Sequence, residues 1–329
     1  MSDRGSGISR AVFSHRPLVI MAGAMTVLFA VATVGLIVDD RTLVNASLWA
    51  KPWKFSISIA LYTVTLSWMI TLLPKWRRAG WWAGTVVAVA LAADMVLLVW
   101  QIAFRGRQLH FNVAGELDRT INGWLANAAF TAWGATLVLG VLLLFQKLPD
   151  KAQASAVRGG LAVALTGLML GMLMFGPKPE QEAMWQAGMK SPVVGGHSVG
   201  VPDGGPGLPL IGWSTTGGDL RIPHFVGMHA LQLLPLLAAL LLMLATRFPV
   251  LRDELVRRRL MRTATAGYFG LVALVTWQAL RGQSIVRPDF WTMAAGAGLV
   301  LGVAAAVWGV LAVTPAPDIR KTPALHDLK

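Results

Sequence analysis

The chain reads as an all-α polytopic membrane bundle of eight transmembrane helices, a tandem 4+4 parallel repeat with both termini cytoplasmic. Three observations predict it. The 329 residues are 55% hydrophobic and only 14% charged, too apolar for a soluble domain. Eight apolar runs each approach the roughly 20 residues that cross a bilayer core of about 30 Å. Finally, Trp100-Gln101 followed by Arg105-Gly106 returns as Trp277-Gln278 followed by Arg281-Gly282. Gly134-Ala135-Thr136-Leu137-Val138-Leu139-Gly140-Val141 likewise returns as Gly296-Ala297-Gly298-Leu299-Val300-Leu301-Gly302-Val303.

The runs fall near 17–38, 54–73, 81–104 and 124–145, forming a first repeat over 17–145. Those near 158–176, 224–246, 263–281 and 290–313 form a second over 158–313, leaving 314–329 as a cytoplasmic tail. Gly, Ala, Ser and Thr recur through the runs, as close helix packing in lipid requires. Phe55 heads the second run after Lys51-Pro52-Trp53-Lys54, and Phe225 heads the sixth after Arg221-Ile222-Pro223-His224. The Trp-Gln signature ends the third and seventh. A unit with an even number of spans keeps its orientation when duplicated, so the halves should be related by an axis along the membrane normal.

Lys and Arg set the sidedness. Eighteen of the 29 gather at one set of run ends: Arg4, Arg10, Arg16, Lys75, Arg77, Arg78, Lys147, Lys151, Arg158, Arg247, Arg252, Arg257, Arg258, Arg259, Arg262, Arg320, Lys321 and Lys329. Short basic loops of this kind mark the cytoplasmic side of a cell inner membrane. The net charge of +13 is chiefly this signal, with attraction to anionic lipid. No soluble domain carries a basic groove, so nucleic acid is excluded as a partner. Eleven cations fall outside: Arg41, Lys51, Lys54, Arg105, Arg107, Arg119, Lys178, Lys190, Arg221, Arg281 and Arg287. They form a shared vestibule or pair locally with Asp118, Asp219 and Asp289. An added outer segment, 107–123, carries His110, and the longest loop, 177–223, is rich in turn-forming Gly and Pro. Its interleaved Trp and Leu residues predict an extracytoplasmic lid over the bundle mouth.

Chemistry-bearing residues are sparse. Asp94 lies about 16 Å inside the third run, where an ionisable group is costly and marks a functional position. Asp94, Gln101 and Arg105 at i, i+7 and i+11 predict a polar track along one helix face. Its packing alternative is a hydrogen bond from Asp94 to Asn127 or Thr131. His229 and Gln232 share a face in the sixth run, with His224 rotated away. His110, His224 and His229 are the candidate metal or haem ligands at this face; His15 and His326 fall on the cytoplasmic side. The absence of Cys removes disulfides, thiol-attached haem and thiolate iron–sulfur clusters. There is no Walker loop or Gly-x-Ser-x-Gly elbow.

Three strings, Ala50-Lys51-Pro52-Trp53-Lys54-Phe55-Ser56, Arg105-Gly106-Arg107-Gln108-Leu109-His110-Phe111-Asn112 and Gly218-Asp219-Leu220-Arg221-Ile222-Pro223-His224-Phe225, resemble those of an uncharacterised family of bacterial multi-pass inner-membrane proteins. The resemblance spans most of the chain and implies no activity. In plan, the duplicated four-helix unit with histidines at outer helix ends is similar to haem A synthase and related membrane cytochromes. Those proteins pair histidines in both halves. This chain offers His224 and His229 in the second half and only His110 in the first.

These readings lead to an integral membrane protein with an extracytoplasmic polar site for an anionic, quinone-like or haem ligand. Gln101, Arg105, His229, Gln232, Gln278 and Arg281 would line it, beneath the lid, with Lys51, Lys54 and Arg221 at the rim. Forked Arg donors suit carboxylate or phosphate oxygens, and Gln orients carbonyls. A small-solute transporter coupling ions through Asp94 is the first alternative, and a non-catalytic membrane scaffold is the second.

Overall fold

A computed structural model describes residues 14–313. The expected tail at 314–329, with Arg4, Arg10 and His326, lies outside the described residues. The molecule is all-helical: α1 (Arg16–Val38), α2 (Ala50–Thr71), α3 (Arg77–Val99), α4 (Glu116–Leu144), α5 (Lys151–Leu170), the short α6 (Pro179–Gln186), α7 (Arg221–Leu244), α8 (Glu254–Leu280) and α9 (Phe290–Ala312). A π turn, Trp100–Phe104, extends α3, and a 3₁₀ turn, Gly171–Met174, extends α5. Two antiparallel ribbons complete it. β1 (Thr42–Leu43) pairs with β2 (Ala46–Ser47), and β3 (Ser198–Val199) pairs with β4 (Gly218–Asp219).

Six helical segments among the described residues are long and apolar enough to cross a membrane: those containing α1, α3, α4, α5, α7 and α9. α2 and α8 have the length, 22 and 27 residues, but not the uniform apolarity. α2 carries Lys51, Lys54, Ser56, Ser58, Tyr62 and Thr63, whereas α8 begins with a run of arginines. Several helices start earlier than their apolar runs. α4 begins at Glu116 and α8 at Glu254, because a polar first turn is still helical when an acidic residue meets the free N–H groups there. The outer segment expected over 107–123 therefore ends at Gly115, and its remainder is the first two turns of α4.

Pairing follows the same order in both halves. α1 packs on α2 and α3, α2 on α3, and α3 on α4; α5 packs on α7 and α8, α7 on α8, and α8 on α9. The halves meet where α4 touches α5 and α2 touches α7. The larger buried core fills the first half and the junction, from Leu18, Leu66 and Met69 to Leu161 and Leu231. A smaller, alanine-rich core built on Ala152, Ala156, Val163, Ala230 and Met261 holds the second.

α5 and α7 approach backbone to backbone. A Cβ on Gly167 would lie 2.4 Å from the carbonyl carbon of Gly227, and one on Gly160 would lie 3.0 Å from the carbonyl oxygen of Ala230. Small residues permit such a crossing, in which packing and carbonyl contacts replace the hydrophobic drive absent in lipid. His15 is a structural pin. It is fully buried, accepts from the Leu18 N–H through Nδ1 and donates Nε2–H to the Trp81 carbonyl at 2.8 Å. Asp150 and Arg257 form the matching tie between the starts of α5 and α8, at 2.8 Å. The basic helix ends thus gather on one side of the bundle.

Gly167→Val should overpack this crossing and cost about 1–3 kcal/mol or more. The measurement is thermal unfolding in detergent, and an unchanged midpoint would count against a backbone contact at Gly167.

Candidate functional site

The twin Trp-Gln-Arg-Gly motifs do not meet in one pocket. Each closes its own helical corner. Arg105 stacks over Trp100 at 5.3 Å, and Arg281 over Trp277 at 4.5 Å. Each guanidinium then binds an aspartate at the start of the next helix: Arg105 takes Asp118 at 2.9 Å, and Arg281 takes Asp289 at 2.5 Å. Gln101 donates to Asp118 at 2.8 Å, and Gln278 donates to the Ser284 carbonyl at 2.9 Å. Gly106 and Gly282 follow at φ +61° and +70°, the left-handed turn that glycine permits. The two motifs differ in spacing by one residue, five positions from Trp to Arg in the first and four in the second. The π turn over Trp100–Phe104 absorbs the extra residue, as a one-residue insertion into a helix commonly does.

That turn also breaks the expected polar track. Asp94 lines a cavity, whereas Gln101 and Arg105 lie in the Asp118 knot, on which Arg107 also converges. Asp94 bonds neither Asn127 nor Thr131, and no hydrogen bond or ion pair to it occurs among the described residues. Gln101, Arg105, Gln232, Gln278 and Arg281 are not among the cavity's lining residues. Arg105 and Arg281 are instead paired at the corners, where each guanidinium is held by the nearest carboxylate, with Gln101 and Gln278 bonded beside them.

The cavity itself has a volume of about 820 Å³ and lies between the halves, beneath the 177–223 segment. Its walls are the outer halves of α2 and α7, with α3, α4 and the outer end of α5. Lys51, Phe55, Ser58 and Tyr62 come from one face of α2, at i, i+4, i+7 and i+11. Arg221, Phe225, Met228 and His229 come from α7. Lys51 and Arg221 therefore stand at matching positions of the two Phe-headed helices. The alignment that marked those helices, rather than the Trp-Gln one, was the signal for the site. Ser58, Phe130 and Met172 were not anticipated; the heptad spacing of Ser58 from Lys51 was their one visible cue.

Aspartates neutralise six of the eleven outer cations. Arg41 pairs with Asp39, Arg105 and Arg107 with Asp118, Lys178 with Asp203, Arg221 with Asp219 and Arg281 with Asp289. Of the other five, Lys51 and Lys54 line the cavity. Lys54 Nζ donates to the Ile211 carbonyl at 2.8 Å, which satisfies a hydrogen bond but not the charge. Lys51 has an aromatic neighbour, Phe55, at 6.0 Å.

His224 donates Nδ1–H to the Gly167 carbonyl at 2.9 Å, leaving Nε2 as the ring's acceptor. Gln232 lies beside His229. His110 packs between Phe55 and Phe111, and burial together with Lys51 holds it well below its ordinary value, hence neutral. Among the described residues, no three His, Asp or Glu side chains come close enough to hold a metal ion. The candidate ligands His110, His224 and His229 do not form such a set.

The roof is a built structure rather than an irregular strap. Asp203 accepts from the backbone N–H of His197 and Ser198, and Asp219 from that of Ser214 and Arg221. Lys54 ties the roof to α2, Asn45 ties it to the first half through Gly204, and Ser284 ties it to the α8–α9 corner through Ser214. Gly218 lies so close to the Ala279 carbonyl that any side chain there would overlap it.

His197 sits 3.4 Å from Asp203 and 3.9 Å from Asp219. Burial and the nearby Arg221 outweigh both carboxylates and push it down to about 4 from its ordinary 6.5. Between those values the unfolded segment binds more protons than the folded one, so the roof loses stability as pH falls through this window. Proteolytic nicking within the roof should rise as pH is lowered from 7 to 5, and His197→Gln should flatten that rise. A nicking rate independent of pH would contradict it.

Comparison of the chain with family profiles, with curated proteins and with solved structures finds no match.

Proposed function

We propose that the protein is a duplicated eight-helix integral protein of the cell inner membrane, with both termini cytoplasmic. In this reading it binds an anionic amphipathic molecule in a cavity at its extracytoplasmic face. The common pairing order of the two four-helix sets and their twin Arg–Asp corners support the duplication. Reading α2 and α8 as spans follows from their lengths of 22 and 27 residues and, for α2, from the burial of Ser56, Ser58 and Thr63 against other helices. The basic helix ends opposite the roof support the orientation.

One observation carries the binding reading. Lys51 and Lys54, with no carboxylate paired to either among the described residues, line a largely apolar cavity bounded by Phe55, Phe130, Trp133 and Phe225. A cationic end and an apolar body suit a ligand with an anionic head and a hydrophobic remainder. Quinone-like molecules and haem fall in this class by their apolar bodies. His224 bears on haem specifically, because an imidazole that donates Nδ1–H to a backbone carbonyl is arranged as metal-bound histidines are. A Soret band in the purified protein would identify haem, and its absence would remove it.

Lys51→Ala with Lys54→Ala should weaken binding of an anionic amphiphile such as dodecyl phosphate by about 1.5–3 kcal/mol per charged contact, or tenfold and more. Arg105→Ala and Arg281→Ala should lower thermal stability and leave that affinity unchanged. Equal loss in both sets would return the site to the Trp-Gln-Arg-Gly corners.

A second reading has a specific observation behind it. Asp94 lines the same cavity near mid-membrane and is within the field of Lys51, as an ion-coupling group of a transporter would be. Asp94→Asn should then abolish solute uptake into proteoliposomes while ligand binding persists. Undiminished uptake would leave binding alone. A purely packing scaffold accounts for the corners but not for the cavity.

A further inference from the structure

The cavity has an apolar flank as well as a roof. Phe130 on α4, with Met169, Met172 and Phe175 on α5 and just beyond its 3₁₀ extension, both line the cavity and reach the protein surface, each more than a third exposed. Phe130 and Phe175 stack at 6.3 Å, which sets this flank level with the outer end of α5. One turn deeper, the Trp133 indole N–H reaches the Leu165 carbonyl at 3.3 Å and closes α4 onto α5. Side chains of this composition suit acyl chains better than water.

Its polar end has a second unmet group. Ser58 is only 7% exposed, lines the cavity and has no hydrogen-bond partner for its Oγ among the described residues. It lies seven residues beyond Lys51 on the same face of α2, about 10 Å deeper. A buried hydroxyl without a partner is costly unless a ligand satisfies it. The guanidinium of Arg221 is committed to Asp219, so the available cations are two lysines. These are point charges that suit the clustered oxygens of a phosphate better than the planar fork a carboxylate prefers.

We propose that the occupant is a phosphate-headed lipid drawn sideways from the outer leaflet. Lys51 and Lys54 hold its phosphate, Ser58 bonds its linkage oxygens, and its chains leave between Phe130 and Met172. This rests on the anionic-amphiphile reading above and adds the source, the head group and the route.

The test uses the full chain in nanodiscs of dioleoyl phosphatidylcholine doped with fluorescent dioleoyl phosphatidic acid, with loading read by energy transfer from tryptophan. Dodecyl phosphate and glycerol 3-phosphate, both added from water, serve as the short-chain and chain-free probes. Phosphatidic acid should load and glycerol 3-phosphate should not. F130W/M172W, which narrows the flank, should slow phosphatidic acid loading about tenfold. F130L/M172L, which keeps the flank clear, should load faster than F130W/M172W and so controls for folding. Equal loading by wild type and F130W/M172W would overturn side entry, and glycerol 3-phosphate binding as tightly as phosphatidic acid would overturn the lipid. Loss of all amphiphile binding in wild type, or its survival in K51A/K54A, would instead defeat the parent reading.

Discussion

Charge pairing at the outer helix ends determines what this protein can offer a ligand. A guanidinium near an apolar bundle is unfavourable without a carboxylate, and Asp118, Asp219 and Asp289 supply carboxylates close by in the chain. Asp118 alone, almost fully buried, gathers Arg105, Arg107 and Gln101. Because those pairs are satisfied locally, the outer arginines hold corners and a roof rather than a ligand. Of the cations left without a carboxylate among the described residues, Lys51 and Lys54 are the ones that line the cavity between the halves.

The roof follows from the same economy of carboxylates. Asp203 and Asp219 satisfy the backbone of a glycine-rich segment that would otherwise have few partners, and Lys178, His197 and Arg221 surround them. The segment is anchored to both halves, so it bridges them above the cavity instead of hanging from one. Below it, α5 and α7 cross at Gly167 and Gly227. His224 reaches across that crossing to the Gly167 carbonyl, which ties a cavity-lining imidazole to this backbone contact.

Asymmetry between the halves is where function enters. At the corners the two motifs differ in spacing by one residue, which the π turn accommodates, and Gln101 and Arg105 contact Asp118 while Asp94 lines the cavity. At the cavity they differ in kind. Lys51, Ser58 and Tyr62 of α2 stand where α7 has Arg221, Met228 and Gln232. Tyr62 hydrogen-bonds Thr136 of α4, so the lower end of the α2 face is tied to α4 while Lys51 and Ser58 above it face the cavity.

Composition and run length determined the helical membrane class, because lipid admits few other solutions for a chain this apolar. Basic-residue placement separated the two ends of the bundle, and recurrence of short strings located the corresponding helices. Helix starts were less legible, since Glu116, Lys151 and Glu254 begin helices in polar turns that hydropathy does not register. The site was half legible. Lys51, Lys54, Arg221, Asp94 and His229 do line one cavity, but Gln101, Arg105, Gln278 and Arg281 do not. Only the tertiary structure decided that division. Which carboxylate captures each arginine depends on distances across a turn, and the π turn that ends α3 carries Gln101 and leads into Arg105 beside Asp118 rather than in the cavity.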